Sequence, residues 1–174
     1  MNATKNGGRP RIAIGADHHG QSLKDKLIGH LREERHTVKD CGGHNAEPVG
    51  GVEVVDVVAQ SMASGEADVG IVISGSGAVA SIVANKIPGV RACYCQDAYS
   101  ARQARRIAAS DILCLGARVL GDELAAEIAR AFVGEQSSED ARHELLRSRI
   151  QKMEEAFDVR RAELQRAHAA DPAD

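Results

Sequence analysis

Residues 68–86 read DVGIVISGSGAVASIVANK, and this stretch decides the predicted fold. Residues 69–73 form a short apolar run rich in β-branched side chains, which is typical of a strand buried on both faces of a parallel sheet. The glycine turn at 74–77 follows at once, and the pattern of 78–86 predicts a helix. A strand, a tight turn and a helix in this order predict one unit of an α/β protein.

The turn at residues 74–77 also has the chemistry of an anion site. Gly75 and Gly77 lack a Cβ, so their backbone N–H groups can face a ligand. The start of the following helix adds a partial positive charge, and the hydroxyls of Ser74 and Ser76 add two donors. The alternative is purely structural, because any α/β protein needs tight turns between strands and helices. The spacing alone leaves both interpretations open.

Length and composition indicate one globular domain. The chain has 174 residues, a formal net charge of −3 at pH 7, no Trp and 2% aromatic residues, which argues against nucleic-acid binding. No apolar run approaches the ~20 residues of a membrane span, and residues 1–10 lack the apolar stretch of a secretory signal. The four cysteines lack the paired spacing of a metal site. We therefore expect a cytoplasmic protein with reduced, buried thiols and no membrane partner.

Strand and helix patterns alternate five times along the chain, which predicts a parallel sheet covered on both faces. The predicted strands are residues 11–16, 37–41, 69–73, 90–94 and 112–115.

Polar groups follow several of these strands at their carboxyl ends, where open α/β sheets bind ligands. Asp17 follows the first strand, the turn at 74–77 follows the third, and Arg118 follows the fifth. For Asp17 the alternative is capping of the next helix, which is worth ~1 kcal/mol. His18 and His19 are expected at the mouth of the same crevice, as hydrogen-bond donors and proton carriers.

A last helix is predicted from about residue 141. Its apolar side chains lie at near-heptad spacing, which suits packing against a partner subunit or back against the same chain. They are Leu146, Ile150, Met153, Phe157 and Leu164. The predicted organisation is a loose tail at 1–10, an α/β domain at 11–136, and a C-terminal helix with its tail at 137–174 as the dimer contact.

Several ordered motifs resemble one protein family, ribose-5-phosphate isomerase B with the related galactose-6-phosphate isomerase subunits. The motifs are GADHHG at 15–20, the stretch at 68–86, GVRA at 89–92, DAYSARQAR at 97–105, ILCLGARVLG at 112–121 and a late Arg142–His143 pair. The resemblance covers roughly residues 11–150. It implies a Rossmann-like three-layer α/β/α sandwich that acts as a homodimer or homotetramer on small sugar phosphates, with no metal or organic cofactor.

The resemblance also implies roles for individual residues. Asp17 and His18 resemble the pair that opens the sugar ring and orients the substrate, and Ser74 takes the position of a proton-shuttling base. Arg142 resembles a phosphate-binding arginine at a site shared with the other subunit. The residues assigned to substrate binding are Gly75, Ser76, Gly77, Ala78, Asn85, Arg118 and Arg142.

Three of the departures from the family pattern fall on catalytic positions. Ser74 stands where many members have a Cys base, Ala80 where another branch has a Glu, and Ile107 where the ring-opening His is usual. A Ser hydroxyl is a far weaker acid than a thiol and needs a base of its own.

Several interpretations stay open. The chain is an active isomerase that uses His19, His44 or Glu47 instead, a subunit that needs a different partner chain, or a sugar-phosphate binding protein without turnover. A nucleotide-binding regulatory module is a further class. The glycine turn argues against it, because this turn follows the third strand and lacks the full dinucleotide fingerprint.

Overall fold

A computed structural model of the chain describes residues 9–42 and 50–170, except for the side chains of Leu164 and residues 167–170. The chain divides into two compact units, Met1–Ser137 and Ser138–Asp174. Most of the loop predicted at 42–51, including His44 and Glu47, lies outside the described residues.

The first unit contains the five predicted strand–helix pairs. The strands are β1 (Ile12–Ala16), β2 (Val38–Asp40), β3 (Val69–Ser74), β4 (Ala92–Tyr94) and β5 (Ile112–Gly116). The helices are α1 (Gln21–Glu33), α2 (Gly51–Ala63), α3 (Ala78–Ala84), α4 (Ala98–Ala108) and α5 (Asp122–Val133). Helix α3 is shorter than predicted, because the amide groups of Lys86 and Ile87 donate to carbonyls only three residues back and tighten the chain into a turn.

All five strands are parallel, in the order β2-β1-β3-β5-β4. The chain moves outward in opposite directions from β1 and β3, so these two strands flank the topological switch point. Ala16 pairs with Ile73, and Ser74 pairs with Gly116. The carboxyl ends of β1, β3 and β5 therefore lie side by side.

Helices cover both faces of the sheet. On one face, α1, α4 and α5 pack against Ile12, Ile71 and Leu113 of the sheet and enclose the buried ring of Phe132. On the other face, α2 and α3 pack small side chains against Val72 and Ile112. The predicted three-layer α/β sandwich with a five-stranded parallel sheet is therefore confirmed.

Two glycines allow the turns after β3 and β5 to approach closely. Gly77 has φ +78°, in the left-handed region, and a Cβ on it would lie 2.6 Å from the ring of Tyr94. A Cβ on Gly116 would lie 2.7 Å from the carbonyl oxygen of Ser76. A larger residue at either position would separate the two turns.

A buried ion pair holds the start of α1 against the end of β2. The side chain of Lys24 is almost completely buried, and its Nζ donates to Asp40 Oδ1 at 2.9 Å and to the carbonyl oxygen of Gly42 at 3.0 Å. Breaking such a pair strongly destabilises a protein, because it leaves a buried charge without compensation.

The second unit contains α6 (Ala141–Ala170). The side chains of its predicted apolar seam are exposed in the single chain: Leu146, Ile150, Met153 and Phe157 have exposed fractions between 40% and 63%. Packing of this seam against a partner subunit stays a prediction.

All four cysteines are free thiols, and three of them are buried. Burial raises the pKa of the Cys95 thiol to about 12. Within residues 9–42 and 50–170, no helix combines the length and the hydropathy that a membrane span requires.

Candidate active site

A cavity of about 420 Å³ lies where β1, β3 and β5 end. Its polar wall contains one carboxylate, two imidazoles, two hydroxyls and one guanidinium, and its apolar wall contains Val79, Ala80 and Val119. The polar side chains are Asp17, His18, His19, Ser74, Ser76 and Arg118.

The carboxylate of Asp17 connects the turn after β1 to the turn after β3. Its Oδ1 accepts hydrogen bonds from the amide groups of His19 at 2.9 Å and Gly20 at 3.1 Å, and its Oδ2 accepts one from the amide of Gly75 at 3.3 Å. The N-cap of α1 is Gly20, without a side-chain cap, so Asp17 caps the turn before the helix rather than the helix itself. Asp17 is buried, and it lines the cavity.

Two amide groups of the turn after β3 already donate hydrogen bonds within the protein. The amide of Gly77 donates to Ser74 Oγ at 3.0 Å, and the amide of Gly75 is taken by Asp17. Among the described residues, no acceptor is found for the amide groups of Ser76, Ala78 and Val79, and all three residues are exposed. These three N–H groups are therefore available to an anion.

Ser74 is buried, and its side chain faces the cavity. Its Oγ accepts from Gly77, and within the described ranges no imidazole or carboxylate accepts a hydrogen bond from its hydroxyl. A serine without such a base is a weak proton carrier.

Backbone hydrogen bonds attach the turn after β5 to the turn after β3. The amide of Ala117 donates to the carbonyl oxygen of Ser74 at 2.9 Å, and the amide of Arg118 donates to that of Gly75 at 3.0 Å. The Arg118 side chain extends into the cavity, where Nη2 lies 3.2 Å from Nδ1 of His19.

The imidazole of His19 lies over Gly75. A Cβ on Gly75 would be 3.0 Å from His19 Cδ2, so a larger residue there would press against this ring. The ring centroid of His18 lies 3.7 Å from that of His19. Two imidazoles and one guanidinium therefore meet above the glycine turn.

Comparison with known proteins identifies the family. Residues 12–153 match the family described as Ribose/Galactose Isomerase. The chain belongs to this family. The resemblance deduced from the ordered motifs is therefore confirmed.

Individual relatives in the ribose/galactose isomerase family align with most of the chain. Ribose-5-phosphate isomerase B of Escherichia coli strain K12 is 40% identical over 134 residues, which cover 77% of this chain and 89% of the relative. D-erythrulose-4-phosphate isomerase of Pectobacterium atrosepticum is 39% identical over 126 residues, which cover 70% of this chain and 81% of the relative. The solved structure of Clostridium thermocellum ribose-5-phosphate isomerase B superposes with a TM-score of 0.79 at 37% identity, covering 84% of this chain and 99% of that one.

The structure brings most of the site residues expected from the family to one place. Asp17, His18, Ser74, Gly75, Ser76 and Arg118 line the cavity. Gly77 belongs to the same turn and is buried close to Tyr94, and Ala78 is the first residue of α3.

Asn85 lies elsewhere, at the far end of α3. Its Nδ2 donates to the carbonyl oxygens of Ser81 and Ala92, at 2.9 Å and 2.8 Å, and its Oδ1 accepts from the amide of Ala92 at 3.0 Å. These bonds connect α3 to β4, which indicates a structural role.

Arg142 belongs to the second unit, where it pairs with Asp140 at 2.7 Å. The side chain of Arg142 is 87% exposed, and its guanidinium holds the pKa of Asp140 well below the usual range.

The sequence placed His19 at the mouth of the crevice and gave it as one of three alternative acid–base groups, with His44 and Glu47. Its position directly after the Asp17–His18 pair was the available signal, and the contacts with Gly75 and Arg118 required the structure. Among the described residues, no group of three or more His, Cys, Asp or Glu side chains is arranged to hold a metal ion.

Proposed function

We propose that the protein interconverts an aldose phosphate and its ketose phosphate, of the ribose 5-phosphate and ribulose 5-phosphate type, through an enediolate. One observation supports this above the others: a carboxylate, two imidazoles, open amide groups and a guanidinium share one cavity at the switch point of the sheet. The cavity volume of about 420 Å³ lies within the range of small-molecule sites.

The reaction requires four functions from such a site. The sugar ring must open, a proton must move from C2 to C1, the negative oxygen of the enediolate must be stabilised, and the phosphate must be held. Asp17 and His18 are assigned to ring opening and substrate orientation. Ser74 is assigned to the carbon proton transfer.

The enediolate oxygen is assigned to the turn after β3. The amide groups of Ser76, Ala78 and Val79 are assigned as its donors, because Asp17 and Ser74 already accept from Gly75 and Gly77. In this proposal Gly75 and Gly77 shape the turn rather than supply its free donors.

The phosphate is assigned to arginine side chains, whose planar fork fits its oxygens. Arg118 extends into the cavity. Arg142 is assigned to a second phosphate contact, across a homodimer or homotetramer with a shared active site. We assign Asn85 a supporting role: its hydrogen bonds to Ala92 hold α3 against β4, and α3 directly follows the turn that binds the sugar. The proposed mechanism uses no metal or organic cofactor.

A coupled isomerase assay with a panel of four- to six-carbon aldose phosphates tests the proposal. We expect turnover of at least one sugar, and a loss of kcat of about 100-fold or more for Asp17→Asn. Asp56→Asn is the matched control, since Asp56 is an exposed carboxylate on α2 outside the cavity lining. No turnover of any sugar in the panel would contradict the proposal.

A binding role without turnover is the second candidate, and the absence of a described base beside Ser74 favours it. Thermal-shift measurements with ribose 5-phosphate, galactose 6-phosphate and NAD separate the two. Stabilisation by a sugar phosphate without product formation indicates a binding protein, whereas stabilisation by NAD alone would indicate a nucleotide-binding module.

A further inference from the structure

Asp17 and Ser74 are assigned to ring opening and to the carbon proton transfer, so the proton that moves between the hydroxyl oxygens needs another carrier. The two oxygens of Asp17 accept three backbone amide groups, and Ser74 Oγ accepts a fourth. Among the described residues of the cavity wall, the imidazoles of His18 and His19 are the remaining candidates.

His19 is the imidazole with a defined orientation. Its ring lies against Gly75, and its Nδ1 lies 3.2 Å from Nη2 of Arg118. Arg118 is held in turn by its backbone hydrogen bond to Gly75. Within the described residues, His18 has no hydrogen bond that would orient its ring in the same way.

The contact with Arg118 determines which tautomer His19 adopts. A guanidinium only donates hydrogen bonds, so Nδ1 must be the acceptor. The neutral ring then carries its proton on Nε2. In this form Nε2 donates a proton and does not accept one, so His19 is suited to protonate an oxygen rather than to remove a proton from carbon.

We propose that His19, held by Arg118 in the Nε2–H tautomer, is a catalytic residue that moves the hydroxyl proton between O1 and O2 of the enediolate. This inference rests on the proposed isomerase function. In the aldose-to-ketose direction, Nε2 gives its proton to the negative O1 and then takes the proton of the O2 hydroxyl. The ring returns to its first state, and the negative charge passes from O1 to O2.

Arg118 makes this transfer more favourable in two ways. Its positive charge beside Nδ1 offsets the negative charge that the ring carries between the two steps. Its guanidinium has five N–H donors, so it can hold His19 with one and a phosphate oxygen with others. Substrate binding and orientation of the imidazole are thereby coupled through a single side chain.

Exchange of the C2 proton of the substrate with solvent distinguishes a catalytic role of His19 from a structural one. His19→Gln is compared with wild type in D₂O, with conversion and C2 deuterium incorporation followed by NMR. We expect kcat to fall by about 100-fold, with KM changed less than about threefold. Deuterium incorporation at C2 should persist, because the enediolate still forms and returns to aldose.

The experiment distinguishes a failure of the His19 role from a failure of the isomerase function. His30→Gln is the matched control, because His30 lies near the end of α1 outside the cavity lining. Unchanged conversion by His19→Gln, or an equal loss of conversion and exchange, overturns the role of His19 while the isomerase function stands. A wild-type protein that neither converts nor exchanges any sugar in the panel overturns both.

The tautomer is testable without turnover. In ¹⁵N NMR spectra of the full chain, we expect neutral His19 to show an unprotonated Nδ1 and a protonated Nε2. Arg118→Met should give a mixture of the two tautomers, with the spectrum of His30 unchanged. A protonated Nδ1 in neutral His19 of the wild type would overturn the proposal.

Discussion

Gly116→Ala tests whether the close approach of two turns builds the site. The new Cβ would lie 2.7 Å from the carbonyl oxygen of Ser76 and 2.9 Å from its carbonyl carbon. These are backbone atoms, which cannot rotate away as a side chain can. The turns after β3 and β5 must therefore separate.

The expected loss in the free energy of unfolding follows from the hydrogen bonds that this separation breaks. Two backbone hydrogen bonds join the turns, from Ala117 to Ser74 and from Arg118 to Gly75. At ~1 kcal/mol for each neutral hydrogen bond, we expect the free energy of unfolding to fall by about 2 kcal/mol. The guanidinium of Arg118 moves with its backbone, so kcat/KM should fall more than stability alone explains.

Urea denaturation and the isomerase assay measure both effects. Gly29→Ala is the matched control, because Gly29 lies within α1 and a Cβ there meets no atom within 4 Å. We expect that control to gain about 0.5–1 kcal/mol, since alanine is the better helix former. A Gly116→Ala protein within about 0.5 kcal/mol of wild type, with unchanged kcat/KM, would refute the reasoning.

Two further substitutions test the assigned roles. Ser74→Cys should raise kcat by about 10-fold or more in steady-state assays, because the Gly77 amide that donates to Oγ would stabilise a thiolate; no gain would place the carbon base elsewhere. Arg142→Ala should weaken phosphosugar binding by about 10- to 100-fold in calorimetric titrations, because a charge-assisted contact is lost; unchanged affinity would remove Arg142 from the phosphate site.

Much of the candidate site could be predicted from local sequence signals, but the hydrogen-bond acceptors of its backbone amide groups could not. The turn at 74–77 and Asp17 were identified from their positions after predicted strands. The sequence predicted that the amide groups of Gly75 and Gly77 face a ligand. In the structure Asp17 and Ser74 accept from them, and the Gly75 bond joins residues 58 positions apart.

The amino-acid sequence by itself determined the alternation of strands and helices, because apolar periodicity and glycine turns act over a few residues. It also determined the family, because its motifs keep their order and spacing. Only the tertiary structure decided that β5 lies between β3 and β4, since strand pairing depends on contacts far apart in the chain. It likewise selected His19 over its neighbour as the oriented imidazole, because the guanidinium that holds the ring lies 99 positions away and reaches it only across the folded sheet.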